Sequence, residues 1–118
     1  MREGSIVLTA LPQADGTIKN RPTLVLREMP LFRDLLVCGV STQLHQQVPG
    51  FDEIVSPQDG DFVASGLQCE SLIRLGFLAL VPNRRVLGSI GAIASTRHRR
   101  LLERLAGYLI EQVPKPGA

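Results

Sequence analysis

The stretch Leu35–Ser41, with the sequence LLVCGVS, is the segment that most directly indicates how this chain folds. It is apolar nearly throughout, and it gives way to the polar residues Thr42 and Gln43. A short apolar run bounded by polar residues is typical of a β-strand that is covered on both faces. We therefore predict a strand here, packed between other elements of the chain.

Similar short segments lie on both sides of this strand. They are rich in apolar and β-branched residues, and turn residues such as the Asp15-Gly16 pair and the Pro82-Asn83 pair separate them. The further predicted strands are 5–9, 22–26, 52–55, 71–75, 77–81 and 86–91. Gly88 and Gly91 in the last strand indicate a bend or a close approach of two backbones.

The apolar pattern changes from residue 95 onward, where it takes the spacing of one helix face. The residues of this face are Leu101, Leu102, Leu105, Tyr108 and Leu109. We predict an amphipathic helix that buries them, with Ser95 or Thr96 as its cap and Pro114 as its stop. Gly107 costs a helix about 1 kcal/mol relative to alanine, so we expect close packing there. Residues 114–118 are expected to be a frayed tail.

The fold class follows from this order of elements. Six or seven closely spaced strands and one C-terminal helix predict a mainly β domain, either a small barrel or a strongly bent sheet, with the helix packed on it. The length of 118 residues is that of one domain, so we assign residues 1–118 to a single unit. The region 44–50 is predicted to be loop.

Composition bounds the function classes. Hydrophobic residues make up 44% and charged residues 20%, as in an ordinary globular protein, and the net charge of +2 is too small to argue for nucleic-acid binding. One Tyr, four Phe and no Trp are few aromatics for a protein that stacks on single strands. There is no run of about 18 apolar residues and no signal peptide, so we expect a cytoplasmic protein without membrane contact.

Several common kinds of site are missing from the sequence. Cys38 and Cys69 are expected to be free thiols, the alternative being a disulfide, and with two separated histidines they give no zinc spacing. Residues 88–91 lack the lysine and the spacing of a phosphate-binding loop. No Ser-His-Asp motif is recognisable. We therefore predict no metal site and no cofactor.

Polar residues stand at the ends of two predicted strands. Arg21 precedes Pro22 at the start of one strand, and Ser41, Thr42 and Gln43 end another. A guanidinium offers a planar fork of donors that fits phosphate oxygens, and a hydroxyl adds one more donor. Such a pair could bind a phosphodiester and stabilise the charge of its transition state. The plainer alternatives are a solvated arginine and an ordinary loop entry.

Several segments, in order, resemble the PemK/MazF toxins of type II toxin–antitoxin systems. The segments are Gly4-Ser5-Ile6-Val7-Leu8, the turn with Asp15-Gly16 and Lys19, Arg21-Pro22-Thr23-Leu24-Val25-Leu26, Val40-Ser41-Thr42-Gln43, Ser65-Gly66-Leu67 with Ser71-Leu72-Ile73-Arg74, and Ile90-Gly91 before the helix. Each motif alone is weak, but together they cover nearly the whole chain. The resemblance implies an SH3-like β-barrel, usually a homodimer.

The resemblance also implies an activity, that of a metal-independent endoribonuclease in which the ribose 2′-hydroxyl attacks the phosphodiester. Arg21 matches the catalytic arginine of the family, which stabilises the phosphorane and could move a proton. Ser41 matches the catalytic threonine, and Thr42 and Gln43 would line the site. The partners implied are single-stranded RNA and a cognate antitoxin whose tail covers the RNA groove.

Two departures from the family pattern keep a second function open. Ser5 stands where the family usually has Asp, and Ser41 stands where Thr is usual, so that the hydroxyl is kept and the methyl group is lost. The alternative function is that of a catalytically weak or inactive barrel of this family that acts as a protein- or nucleic-acid-binding module.

The remaining basic residues each have a functional and a structural interpretation. Lys19 could add charge beside the phosphate or be solvated, and Arg74 could point into the groove. His45 could serve acid–base chemistry or be a solvated loop histidine, whereas His98 is expected to be structural or exposed. Two arginine clusters could contact RNA or an acidic antitoxin, or form a solvated helix face. They are Arg84 and Arg85, and Arg97, Arg99, Arg100 and Arg104.

Overall fold

The structure, a computed structural model, describes residues 3–12, 15–111, 113 and 116. The strands are β1 (Ser5–Pro12), β2 (Ile18–Glu28), β3 (Leu35–Ser41), β4 (Glu53–Val55), β5 (Ser71–Val81) and β6 (Val86–Ala92). The helices are α1 (Phe62–Ser65) and α2 (Ser95–Ile110), with single 3₁₀ turns at Leu44–Gln46 and Asn83–Arg85. The expected frayed tail, 114–118, lies outside the described residues except for residue 116.

The described strands form one antiparallel sheet in the order β4-β5-β3-β2-β1-β6. The sheet is curled into a half-barrel, and α2 follows the last strand. The prediction of a mainly β fold with one C-terminal helix is therefore confirmed. The strand pattern predicted the number of strands well, because each short apolar run between turn residues became one strand or part of one.

Strand β3 lies inside the sheet and is buried on both faces, as its apolar sequence predicts. One face carries Leu24, Leu26, Cys38 and Val40, and it packs with Leu101 of α2. We call it the helix face. The opposite face packs a second, smaller core. This valine face is formed by Val7, Val25, Leu35, Val37 and Val81.

Strands β1 and β2 are longer than predicted, so that Arg21 and Pro22 lie inside β2. The hairpin closes at the predicted turn, where the backbone N–H and the hydroxyl of Thr17 donate to Asp15 Oδ1 at 2.9 and 2.6 Å. Gly16 has a φ of 86°, which favours glycine. The polar residues between Pro12 and Pro22 predict a loop. They extend the two strands instead, because the hydrogen bonds across a hairpin join backbone groups and need no apolar side chain.

Strand β5 is one strand with a bulge, where we predicted two strands, 71–75 and 77–81. Gly39 of β3 pairs with Arg74, whereas Cys38 pairs with Leu78, so residues 75–77 are extra on β5. Such a bulge bends a strand and re-aims its side chains. Gly76 is central in the bulge and reads as a strand break in the sequence.

The short helix α1 was not predicted, and it packs tightly on β6. A Cβ atom at Gly91 would overlap the backbone oxygen of Ala64, and one at Gly66, which has a φ of +75°, would overlap that of Ile90. The expectation of a close backbone approach at Gly91 is therefore confirmed. Gly88 lies beside a shift in the β1–β6 register, which agrees with the predicted bend.

Helix α2 confirms the predicted apolar face over its first three turns only. Leu101 and Leu105 are buried, and Leu102 packs against the same core. Tyr108 and Leu109 are about as exposed as surface residues, at 61% and 62%, so the prediction that they belong to the core is wrong. The helix extends beyond the core, and a periodic sequence does not show how far the sheet beneath it extends.

The ends and the glycine of α2 also differ from the predictions. Ala94 occupies the cap position and has no capping side chain, so neither Ser95 nor Thr96 is the cap. Instead Asp61 accepts a hydrogen bond from the Ala94 N–H at 3.0 Å. The helix ends at Ile110, before Pro114. At Gly107 an added Cβ would meet no described atom within 4 Å, so close packing there is not the reason for glycine.

Arg97 anchors α2 to the region between β4 and α1. Its guanidinium donates to Asp61 Oδ2 at 2.8 Å, to Glu53 Oε1 at 2.8 Å and to Asp59 Oδ2 at 2.9 Å. Arg97 is only 9% exposed. The expectation that it belongs to a solvated or RNA-contacting arginine cluster is wrong, because three carboxylates distant in the sequence surround it.

The neighbouring arginines of α2 complete this ion-pair network. Arg100 donates to both carboxylate oxygens of Glu53, at 2.6 and 2.8 Å, and Arg104 lies 3.0 Å from the same group. Arg99 faces solvent and pairs with Glu103 within the helix. Most of the positive charge in this cluster is therefore neutralised inside the fold.

The network predicts a loss of stability in acid. Hydrogen bonding to Arg97 lowers the pKa of Asp61, and at Glu53 burial raises the pKa but the three arginines outweigh it, so that the pKa of Glu53 is also lowered. A lowered folded-state pKa stabilises the protein above the unfolded value and stops doing so as the pH falls through the folded value. We expect the free energy of unfolding, from urea titrations, to fall steeply below about pH 4, the unfolded range of carboxyl groups.

The control for the acid prediction is an Arg97→Met chain, in which the same titration should show a smaller decrease in stability. A wild-type stability that stays constant down to about pH 2.5 would contradict the prediction.

Both cysteines are free, as expected, Cys38 in the helix-face core and Cys69 at the surface. Burial raises the pKa of the Cys38 thiol to about 12, so this group behaves as a small apolar side chain. His98 is structural, since its Nε2 lies 2.8 Å from the carbonyl oxygen of Leu26.

Candidate active site

Strand pairing brings Arg21 and Ser41 to the same end of the sheet. Strands β2 and β3 pair from Glu28 and Leu35 as far as Thr23 opposite Gly39. Extending this register by two residues makes Arg21 the position opposite Ser41. Because side chains alternate along a strand, both residues share the face of Val25 and Val37, the valine face. Twenty residues separate them in the sequence, and only the β2–β3 hairpin makes them neighbours.

Arg21 is exposed, and its partner across β1 is Thr9. Lys19 is two residues earlier on β2 and is also exposed, so strand alternation puts it on the same face as Arg21. Two cations therefore line this edge of the valine face. The interpretation of Lys19 as a residue near the phosphate stays a prediction.

The Ser41 hydroxyl has a defined orientation. Its oxygen accepts a hydrogen bond from the backbone N–H of Gln43 at 3.0 Å. A serine hydroxyl has one proton to donate, and accepting this bond leaves that proton available. The turn after β3 therefore fixes the hydroxyl while it stays partly accessible to solvent.

Thr42 and Gln43 are exposed and lead directly into the 3₁₀ turn Leu44–Gln46. His45 is also exposed on this turn, which corrects the prediction of plain loop over 44–50. Thr42, Gln43 and His45 lie near Ser41 because they follow it within four residues of the sequence.

Arg74 joins the same face from the other side of β3. It pairs directly with Gly39, which in turn pairs with Thr23 of β2. Adjacent strands are about 4.8 Å apart, so Arg74 and Thr23 are separated by roughly 10 Å across the glycine. Arg74 is half-buried. The expectation that Arg74 points into the groove stays a prediction.

Two threonines beneath this edge have unsatisfied hydroxyls. Thr9 and Thr23 are completely buried, and neither Oγ1 atom has a hydrogen-bond partner in the described part of the chain. They share the valine face with Arg21, Thr9 directly opposite it and Thr23 two residues along β2. A buried hydroxyl without a partner costs about 1–3 kcal/mol.

A Thr23→Val substitution tests the cost of these hydroxyls. Valine has nearly the same shape and no polar group to desolvate, so we expect the free energy of unfolding to rise by about 1 kcal/mol in urea titrations. Thr17→Val is the control, because the Thr17 hydroxyl is bonded to Asp15 and its loss should not stabilise the chain. A less stable Thr23→Val chain would show that the hydroxyl is satisfied in solution.

Arg84 and Arg85 lie on the 3₁₀ turn between β5 and β6, directly before Val86. Val86 pairs with Thr9 of β1, and Thr9 pairs with Arg21. Adjacent strands are about 4.8 Å apart, so Val86 is roughly 10 Å from Arg21 across β1. The sheet therefore places a second, exposed pair of arginines two strands from Arg21.

Within the described residues, no group of three or more His, Cys, Asp or Glu side chains could hold a metal ion. The same residues contain no helix that is long and apolar enough to cross a membrane.

The candidate site is thus the end of the inner strands β2 and β3, on the valine face of a half-barrel whose other face packs on the C-terminal helix. The residues that share this face are Lys19, Arg21, Ser41 and Arg74. Three cations and a hydroxyl donor on one face suit a phosphate-containing ligand. These features define a small, mainly β protein with a cationic surface at the end of two inner strands.

The family follows from comparison with known proteins. Residues 2–109 match the family model of the PemK-like, MazF-like toxins of type II toxin–antitoxin systems, and the chain belongs to that family. The resemblance inferred from the sequence is therefore confirmed, and the toxin component is the role that the family supports. A search of the curated proteins found no match.

Proposed function

We propose that this chain is a metal-independent endoribonuclease toxin that cleaves single-stranded RNA. The observation that carries the proposal is the shared register of Arg21 and Ser41, which brings a guanidinium and a hydroxyl donor to one exposed end of the sheet. Membership of a toxin family supports it.

The reaction forms one bond and breaks another at phosphorus. The ribose 2′-oxygen loses its proton and attacks the adjacent phosphorus atom, and the bond from phosphorus to the 5′-oxygen breaks as that oxygen takes up a proton. The products are a 2′,3′-cyclic phosphate and a 5′-hydroxyl end. Negative charge builds on the non-bridging oxygens, where the Arg21 fork and the Ser41 hydroxyl donate hydrogen bonds.

The other cations and polar residues bind substrate in this proposal. Lys19 and Arg74 attract the phosphates that flank the scissile one, and Thr42 and Gln43 line the path of the RNA strand. The nucleophile belongs to the RNA, so the chain needs only to position and to stabilise charge.

The departure from the family pattern at Ser5 lies away from this site. Ser5 is buried and pairs with Ala92 of β6, whereas Thr9 is the β1 residue opposite Arg21. Four residues along a strand correspond to about 13 Å. The change at Ser5 therefore leaves the proposed chemistry intact.

The partners are part of the proposal. As the toxin of a type II system, the chain would be neutralised by a cognate antitoxin whose acidic or apolar tail covers the cationic edge of the valine face. We propose a homodimer acting in the cytoplasm, as the family resemblance implies.

The test is cleavage of a mixed RNA pool by the purified chain in excess chelator. Discrete cuts with 2′,3′-cyclic phosphate ends, made by the wild type and by an Arg99→Ala control but not by Arg21→Ala, would support the proposal. Intact RNA at high concentrations of folded, partner-free protein would contradict it.

The second candidate function is that of a binding module without turnover. The observation that favours it is the exposed apolar end of α2, formed by Tyr108, Leu109 and Ile110, which is typical of a protein-contact surface. Growth arrest on expression that persists in the Arg21→Ala variant would support binding over catalysis.

A further inference from the structure

An aromatic ring lies on the valine face, over the β3 position that pairs with Arg74. The bulge at residues 75–77 carries Phe77 back over Gly39 of β3. A Cβ atom at Gly39 would come within 3.0 Å of Phe77 Cδ1 and 3.2 Å of Cγ, so the ring packs against the bare glycine backbone. Any larger residue at position 39 would displace the ring.

The ring is held in place but is not covered. Phe77 keeps 42% of its surface exposed, on the part of β5 that lies beyond its pairing with β4. Gly39 supports it from below, and Gly39 is flanked in register by Arg74 and is two residues from Ser41. An exposed, supported ring beside cations and a hydroxyl donor is the arrangement by which proteins stack unpaired RNA bases.

The other aromatic residues of the chain do not share this location. Phe51 contacts Tyr108 with ring centroids 5.1 Å apart, and Phe62 packs against the helix-face core. Phe32 is 78% exposed, but it follows β2 in the β2–β3 hairpin, at the end of the sheet opposite to Ser41. Phe77 is therefore the aromatic side chain that strand pairing brings to the proposed site.

We infer that Phe77 is the stacking platform for a nucleobase next to the scissile phosphate of single-stranded RNA. This inference rests on the proposed function, since it assigns the base-binding element of that site. An aromatic ring can stack on every base, but it stacks best on purines and on unpaired strands. Phe77 would therefore raise the affinity for single-stranded RNA and set the base preference at one nucleotide. Arg74, on the same strand, holds the adjoining phosphate.

The first experiment measures binding without cleavage. The probe is a fluorescently labelled single-stranded RNA of mixed sequence, fully 2′-O-methylated so that no 2′-hydroxyl can attack. Loss of one base stack costs about 1–3 kcal/mol, so Phe77→Leu should raise Kd about 5- to 150-fold. Phe77→Tyr keeps the ring and should stay within about twofold. Phe32→Leu is the matched control and should not change Kd.

A second variant gives a direct signal that does not depend on the stability of Phe77→Leu. The chain has no tryptophan, so Phe77→Trp introduces a single indole whose fluorescence should be quenched when a base stacks on it. Phe32→Trp should show no quenching with the same RNA.

The outcomes separate this inference from the proposed function. One outcome is that Kd and quenching depend on Phe77 while unmodified RNA is not cleaved. It would support the stacking role and contradict the proposed nuclease activity. Cleavage by the wild type with equal Kd and equal cut positions in folded Phe77→Leu would overturn the stacking role alone. Loss of a dimer in Phe77→Leu, with RNA affinity unchanged per folded chain, would instead assign the ring to a protein interface and overturn the inference.

Discussion

An Arg21→Ala chain is expected to cleave RNA about 10²- to 10³-fold more slowly than the wild type, the usual cost of removing one donor that stabilises transition-state charge. Arg21 is exposed on β2, so its loss should leave the fold unchanged. The effect should therefore fall on kcat, with a smaller change in KM, because the guanidinium binds the charge that develops during the reaction more strongly than the ground state.

The matched variants for this prediction are Arg21→Lys and Arg99→Ala. Lysine keeps the charge but loses the planar fork, so Arg21→Lys should recover only part of the rate. Arg99→Ala removes an exposed arginine from α2, which packs on the helix face of the sheet, and it should cleave like the wild type. Equal rates for Arg21→Ala and Arg99→Ala would show that Arg21 takes no part in the reaction.

An Arg97→Met chain is expected to lose about 3–5 kcal/mol of the free energy of unfolding, because the substitution leaves buried carboxylates without their cation. Asp61 is the group most affected, since it is 8% exposed and accepts two hydrogen bonds from Arg97. Glu53 keeps Arg100 and Arg104 as partners, which favours the lower end of the range. Urea unfolding at neutral pH measures the change.

The control for Arg97 is Arg99→Met on the same helix. The Arg99 side chain is 82% exposed and pairs with Glu103 in solvent, so its loss should cost at most about 1 kcal/mol. Equal stabilities for the two variants would mean that the network contributes no net stabilisation. RNA cleavage per folded molecule should be unchanged in Arg97→Met, since the network lies between β4, α1 and α2.

Strand β3 and helix α2 could be predicted from the sequence. An internal strand is apolar on both sides, as Leu35–Ser41 is, and the apolar spacing changes to that of a helix at residue 95. The bulge at residues 75–77 could not be predicted, since one glycine within an apolar run fits a strand break and a bulge equally well. The helix α1 has only four residues, too few to show a period.

Some residues of the candidate site could be identified from the sequence, and others could not. Arg21 and Ser41 could be selected from the sequence through the family resemblance, and Lys19 followed because it is two residues away on the same strand. Phe77 could not be selected, because its place on Gly39 depends on a bulge. Arg97 was misinterpreted because its carboxylate partners are 36 to 44 residues distant, and a helix sequence shows neighbours only three or four residues away.

The sequence by itself determined the fold class, the order of the strands along the chain and the family, because these depend on local apolar periodicity and on short motifs. The tertiary structure alone decided which distant residues come together. It brings Arg21 and Ser41 to one end of the sheet. It packs Phe77 over Gly39 across β3 and β5, and it pairs Arg97 with Glu53, Asp59 and Asp61. The physical reason is that strand register and helix packing are set by burying the whole sheet at once, and no segment carries that information alone.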